Sequence, residues 1–474
     1  MENWFDHIIF NTRAQPETSA IVMEDRVVTY GMLGAAIECC AQRIATLNLE
    51  NDSLAAICIN NPIRHLTIGL ALFRIGICSI SLELAHVGAA VGLKCAVILG
   101  DAQGRQFYAT NNRFIDVTDD WFTTAPPVTT SLPEPFSDPR QVCRQSLTSG
   151  STGEPKIVNN TVGYIARDMV SGITSFNCEL VLSLPGLSTI FGFKVACGVL
   201  ASKKTLCFAA SPFQAIRMIE LFSIDFAVTS TDQLVTLVRA VRKSGAHIRS
   251  LRTVAAGGGI PTRALLEAAT IYLCKDVRSR YGTSEVGLLG LARASEMLSK
   301  AGFVGYVQPG FEIGVFDASG NQCQPGETGI VKGRVKRSGD EEDWTDHGDV
   351  GWITADGQVF VVGRTSDIAP ADFAKVSARQ ISPVYEVEHL LRLEWDASDA
   401  AAVLVSDSSA RLPPQIWIGI VDCKDASADK LEAILRHRGI DGAVRLFPLS
   451  SIPRGANGKV QRAQLKSLLL RQAQ

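Results

Sequence analysis

The 474-residue chain has no Cys-x-x-Cys pair: its 12 cysteines are scattered, and only Cys39 and Cys40 adjoin. That spacing excludes a zinc ribbon and a thioredoxin-type redox motif, and it leaves most thiols to be read as small buried apolar groups. An excess of charge of either sign is also missing. Lys+Arg 46 against Asp+Glu 48 gives a formal net charge of −2, which gives no support to nucleic acid or an anionic membrane as partner. Nor is there a long unbroken apolar run. The most apolar region, residues 66–99, is interrupted by Arg74, Glu83 and Lys94, and the pieces are shorter than the ~20 residues a membrane span needs. The opening residues Met1-Glu2-Asn3-Trp4-Phe5-Asp6 have neither the basic start nor the apolar centre of a secretory signal. A reducing cytoplasm is the expected location.

What is present is material for large cores. Hydrophobic residues make up 46% and charged residues 20%, a length and composition that suit two or three globular domains of ~100–200 residues each. Short continuous apolar runs recur between helical stretches: residues 54–59, 77–82, 95–99, 180–184, 205–208, 226–229 and 253–256. Such runs suit parallel strands covered on both faces, so an α/β layered domain is expected. Past Gly302 the pattern turns β-rich, with turns at 317–321, 325–329 and 355–357. Beyond Ser366 a small α+β unit is expected. The expected domains are therefore 1–365 and 366–474.

Thr148-Ser149-Gly150-Ser151-Thr152-Gly153-Glu154-Pro155-Lys156 packs hydroxyls, two glycines and a lysine into nine residues. Glycines let backbone N–H groups turn toward an anion, and hydroxyls and a lysine add donors, so a polyphosphate is the ligand this loop suits. It is not a P-loop. That motif separates its glycines by four residues and ends Gly-Lys-Ser/Thr, whereas Gly150 and Gly153 are three apart and Lys156 follows a proline. A Ser/Gly-rich surface linker is the alternative reading of this stretch taken alone.

Gly257-Gly258-Gly259-Ile260-Pro261 could let backbone lie against a flat ligand, or be a plain helix-start turn. Arg280-Tyr281-Gly282-Thr283-Ser284-Glu285, expected at a strand-to-helix junction, offers a ring, two hydroxyls and a carboxylate in succession. A nucleotide with Mg²⁺ could use each of them. Asp346-His347-Gly348-Asp349, Gly363-Arg364-Thr365-Ser366-Asp367 and Pro453-Arg454-Gly455-Ala456-Asn457-Gly458-Lys459-Val460-Gln461-Arg462 complete the set.

In this order, together with Gly326–Gly333, these stretches resemble the successive signatures of the adenylate-forming superfamily: acyl- and aryl-CoA synthetases, nonribosomal adenylation domains and luciferases. The resemblance implies a large N-terminal domain of layered α/β subdomains with a β-barrel-like portion, and a small mobile α+β C-terminal domain. It implies that a carboxylate attacks the α-phosphate of Mg·ATP to give an acyl-adenylate, which a thiol then cleaves, releasing AMP. Thr148 to Gly153 and Lys156 are expected to hold phosphates, with Ser149, Ser151, Thr152 and Lys156 on the β- and γ-phosphates. Glu285 is expected to ligate Mg²⁺. Thr283 and Ser284 fall where the family contacts the α-phosphate; Tyr281, Gly282 and Gly257 to Gly259 border the base; Asp349, with Arg364 beside it, accepts from the ribose hydroxyls. Lys459 is expected to bridge the two anions that must meet, where a cation stabilises the transition state most. Ser366 occupies the hinge.

Acid recognition is expected from Ser188, Thr189, Phe191, Phe193, Ile260, Leu288 and Leu289. The segment 184–193 lacks the aspartate that amino-acid-activating domains use and the histidine common in CoA ligases, so an aryl or aliphatic acid is expected. The acceptor is expected to be CoA, or the phosphopantetheine of a separate carrier protein, since the chain ends shortly after Lys459. Residues 369–374 and Ala378 depart from the family pattern near the segment that meets the thiol arm. A nucleotide-binding protein without catalysis, and an oxidoreductase of the luciferase kind, are the other readings.

Overall fold

The computed structural model describes residues 3–83, 93–108, 113–126, 131–149, 155–171, 177–336, 343–365, 383–405, 415–423, 425–454 and 460–473. Two compact units divide at Val228/Thr229. The expected boundary after residue 365 borders residues 366–382, which lie outside the described residues.

In the first unit the apolar runs become strands with short trimming at each end. One sheet runs Phe114–Asp116, Val97–Gly100, Leu54–Cys58, Cys78–Ser81, Val142–Ser149, Pro155–Thr161. All neighbours are parallel except the last pair. Helix Pro62–Arg74 is buried almost all round, and it packs with strands and helix Tyr30–Ala45 in one core containing Ile57, Ile68, Leu72 and Leu99. Its start is set by Asn61, whose side chain accepts from Arg64 N, with proline in the first turn. A further set runs Phe226–Ser230, Leu180–Ser183, Thr205–Cys207, Ser19–Met23, Arg26–Thr29. The stretch Val27-Val28-Thr29-Tyr30 is strand-like in sequence, yet Tyr30 starts a helix, because Thr29 caps it by accepting from Met32 N. The reading of the cysteines holds: none is paired, and Cys40, Cys58, Cys95, Cys143, Cys178, Cys197 and Cys207 are buried.

The second unit begins with Thr253–Gly257 beside parallel Asp276–Thr283, which turns back as antiparallel Gly287–Arg293. The stretch Arg280 to Glu285 is thus a hairpin and not the expected strand-to-helix junction, because apolar Leu288 and Leu289 continue in extended chain and are buried. An all-antiparallel sheet follows, ordered Phe303–Tyr306, Gln358–Arg364, Thr345–Ile353, Gly329–Val335, Phe311–Phe316, and supplies the expected barrel-like portion. The last part is a sheet of Asp399–Val405, Gln415–Val421 and Val444–Pro448. It packs on helix Arg462–Ala473 through Trp417, Phe447, Leu465 and Leu469.

Helix Pro383–Glu394 carries a stripe of buried polar groups at helical spacing. Glu386 accepts from Ala264 N at 3.2 Å and pairs with Arg438 at 2.8 Å. His389 Nδ1 lies 2.9 Å from Thr262 Oγ1, and Arg392 pairs with Asp232 at 2.6 Å. No helix among the described residues is long and apolar enough to cross a membrane.

Candidate active site

In the second unit three expected nucleotide residues meet. Tyr281, near the end of its strand, donates its hydroxyl to Asp349 Oδ2 at 2.9 Å. The other oxygen, Oδ1, takes Arg364 Nη1 at 3.0 Å. Arg364 also donates to the His347 carbonyl at 2.6 Å, and Thr365 N donates to Gly348 O at 2.9 Å. This fixes the bend at Gly348, whose φ of +69° suits glycine. Asp349 is 5% exposed, so its charge needs the neighbouring guanidinium. Burial and the adjacent Asp349 carboxylate push the Tyr281 phenol well above its ordinary pKa, which keeps it a donor. An ionised carboxylate has about four acceptor positions, and Tyr281 and Arg364 each occupy one.

The hairpin supplies the rest of this side. Thr283 Oγ1 accepts from Val286 N at 3.2 Å; Thr283 and Ser284 are half-buried and Glu285 is exposed at the turn. Gly282 is obligatory for close packing, since a Cβ there would stand 2.2 Å from the Gly287 carbonyl oxygen. Gly258 has φ +78° with open space around it, and a Cβ on Gly259 would touch Thr231. Ile260 and Tyr281 pack against the cluster that holds Leu289, while Leu288 is buried beside it in the strand.

In the first unit the loop joins antiparallel strands, with Thr148 opposite Lys156 and Ser149 opposite Pro155. Gly150, Ser151, Thr152, Gly153 and Glu154 lie outside the described residues, as do Ser366, residues 369–374, Ala378 and Lys459. Lys156 is exposed. Thr189 caps helix Ile190–Ala201, accepting from Gly192 N at 3.0 Å, so its hydroxyl is committed to structure. Ser188 donates to Glu83. Phe193 is 2% exposed, edge-on to Trp4 at 6.3 Å, deeper than a lining residue needs to be; Phe191 is half-buried.

Three residues at or near these segments were not anticipated: Glu83, Arg144 and His347. Arg144 could have been found as a charge inside the apolar start of a strand, Val142-Cys143-Arg144. His347 is buried with neither ring nitrogen partnered among the described residues, and burial lowers its pKa to about 4. No group of three or more His, Cys, Asp or Glu able to hold a metal occurs among the described residues.

A family model described as AMP-binding enzyme matches residues 10–334. Among relatives, 4-coumarate:CoA ligase 1 of Petunia hybrida is 26% identical over 363 residues, covering 68% of this chain and 64% of its own. The chain thus spans just under two thirds of that relative's length. The 2-succinylbenzoate–CoA ligase of Bacillus licheniformis is 24% identical over 491 residues, covering 95% of this chain and 97% of its own. Among solved structures, the o-succinylbenzoate CoA synthetase MenE of Bacillus subtilis, in complex with the acyl-adenylate intermediate OSB-AMP, superposes with a TM-score of 0.79 at 22% identity, covering 98% of each chain. The amide bond synthetase McbA from Marinactinospora thermotolerans gives 0.77 at 20% identity, over 98% of this chain and 99% of its own. These likenesses establish a shared fold over nearly the whole chain.

Proposed function

The chain belongs to the AMP-binding enzyme family, and we propose that it is an AMP-forming carboxylic acid–thiol ligase. In the first half-reaction an acid's carboxylate oxygen bonds to the α-phosphorus of ATP as the bond to pyrophosphate breaks. In the second, a thiol sulfur bonds to the acyl carbon, its proton leaves, and AMP departs.

The observation that carries this reading is the buried Asp349 held between Tyr281 and Arg364. That arrangement sets a buried carboxylate in a fixed orientation beside a guanidinium, where it would accept from ribose hydroxyls. Tyr281 and Gly257 to Gly259 would border the base. Thr148 to Gly153 and Lys156 would hold phosphates, with Ser149, Ser151, Thr152 and Lys156 on the β- and γ-phosphates, and Thr283 and Ser284 would contact the α-phosphate. Glu285, exposed at its turn, suits Mg²⁺, which takes one or two carboxylates beside phosphate oxygens and water; bound there, the ion would offset phosphate charge. Lys459 would bridge the incoming carboxylate and the α-phosphate, lowering their repulsion as charge builds. We assign residues 366–474 to a small domain pivoting at Ser366, which brings Lys459 in for the first half-reaction.

Ser188, Phe191, Ile260, Leu288 and Leu289 would shape the acid pocket. The acids named for relatives, 4-coumarate and 2-succinylbenzoate, are the first members of the panel to try. CoA is the first acceptor, with carrier-bound phosphopantetheine as the alternative. The test is carboxylate-dependent exchange of labelled pyrophosphate into ATP, with Lys459→Ala alongside. Exchange with one acid class, lost in the variant, supports the reading. Silence with every acid, in protein that binds ATP, sinks it in favour of a binding protein. Thioester formation with CoA or a purified carrier then names the acceptor.

A further inference from the structure

Strand Val142–Ser149 runs straight into the hydroxyl-rich loop, and its third residue is a cation sealed in the first unit. Arg144 is 1% exposed, and no carboxylate pairs with it among the described residues. Burial alone pushes its pKa down to about 10. An isolated charge is costly to bury, and an apolar side chain would have served a strand facing the core at less cost. The guanidinium is therefore held for what it contacts.

Its contacts converge on the segment 184–193. Nη2 donates to the Leu187 carbonyl at 2.6 Å and to Ser81 Oγ at 2.6 Å. Nη1 donates to Ser79 Oγ at 3.3 Å, and the guanidinium carbon lies 4.1 Å from the centroid of the Phe193 ring, a cation–π contact. Nε has no partner. Because Ser81 accepts from arginine, its own proton points to His65 Nε2, 2.7 Å away, leaving Nδ1–H for the Ile59 carbonyl at 3.0 Å. That order of donors requires a neutral imidazole, and burial lowers the His65 pKa to about 4. Glu83, two residues past Ser81, accepts from Ser188. Consecutive residues Leu187 and Ser188 are thus gripped by a guanidinium on one carbonyl and a carboxylate on the next hydroxyl.

We propose that Arg144 is a positioning residue for acid selection: with Glu83 it fixes Leu187 and Ser188, and so the entry to helix Ile190–Ala201, in the shape that admits the acid. This rests on the ligase reading and on segment 184–193 serving the acid. The segment has neither the aspartate nor the histidine found there in relatives of the superfamily, so its shape has to be imposed from the strand beneath. Arginine suits the task because its planar fork can serve two acceptors at once; lysine offers a point charge.

The test uses the full chain and the acid that wild type turns over best in the exchange assay. Arg144→Met should raise KM for that acid about tenfold and leave KM for ATP within twofold, while a related acid of different size gains relative to the preferred one. Arg144→Lys should fall between the two. A purely structural arginine would lower Tm and total activity while leaving both KM values in place, and that result overturns the proposal, as does a parallel rise in KM for ATP. If Arg144→Met fails to fold, Glu83→Gln, on an exposed side chain, must show a smaller shift in acid KM alone; no shift also overturns it. A wild type silent with every acid removes the ligase reading and this proposal with it, a failure distinct from a variant that matches an active wild type.

Discussion

Replacing His347 with leucine tests the electrostatics of the second unit directly. The ring is buried against Gly333, where a Cβ would stand 2.6 Å from Nε2. Burial disfavours the imidazolium, and the neighbouring Arg364 adds to this, so the pKa falls from 6.5 to about 4. The unfolded chain therefore binds a proton more readily than the folded one between those values, and stability drops as pH falls through that window. The full effect is about 3 kcal/mol, with about 2 kcal/mol already lost at pH 5. Leucine cannot be protonated and also removes two buried nitrogens that have no partner among the described residues, each a burden of roughly 1 kcal/mol or more. In thermal and urea unfolding, His347→Leu should be more stable than wild type by about 2 kcal/mol at pH 7.5 and by roughly 4 kcal/mol at pH 5. Curves for the two proteins that stay parallel from pH 7.5 to 5 would refute the reasoning, since they would mean that the ring is hydrated or already paired.

Tyr281→Phe keeps the ring but removes the donor to Asp349, so KM for ATP should rise about five- to tenfold with little change in Tm; unchanged ATP dependence would remove Asp349 from the ribose. Gly282→Ala should abolish exchange and lower stability, because its methyl would meet the Gly287 carbonyl oxygen at 2.2 Å; activity near wild type would show that the hairpin yields freely. Arg438→Met strands Glu386, which is buried and pairs with it at 2.8 Å. A loss of about 3 kcal/mol is expected, mostly recovered by adding Glu386→Met; urea unfolding of the single and double variants checks this.

The strands of the α/β layers were legible because they are buried on both faces, so their apolar runs are continuous and bounded by turns. Leu54–Cys58 and Val97–Gly100 show this, with nearly every residue buried. The hairpin at residues 276–293 was not, because a polar strand such as Asp276–Thr283, buried only at alternate positions in part, carries a weak pattern, and the Gly282 turn reads equally well as a helix start. Tyr30 was misassigned for a related reason. A β-favouring aromatic after two valines looks extended, and only the Thr29 cap decides for helix. The residues expected to hold a nucleotide were picked out by motif order, yet the bond from Tyr281 to Asp349 joins residues 68 apart in sequence, which no local spacing encodes.

The buried polar groups are where sequence patterning failed most instructively. Arg144, His347, and Glu386, His389 and Arg392 all occupy positions that an apolar residue would fill at less cost. At Arg144 and along helix Pro383–Glu394 the polar atoms grip backbone or side chains of another segment: the Leu187 carbonyl, the Ala264 N–H, the Thr262 hydroxyl. Thr262 caps the helix that follows the glycine strip, so the grip of His389 and Glu386 reaches the segment proposed to border the base. Apolar contacts tolerate sliding, whereas a directed hydrogen bond from a buried charge fixes a segment to within a few tenths of an ångström. In the proposed ligase, which would place a carboxylate against an α-phosphate, such fixing would act on reactant geometry, where small misplacements are costly in rate. On this argument the patternless charges are the residues whose substitution should alter substrate kinetics without touching a reacting atom.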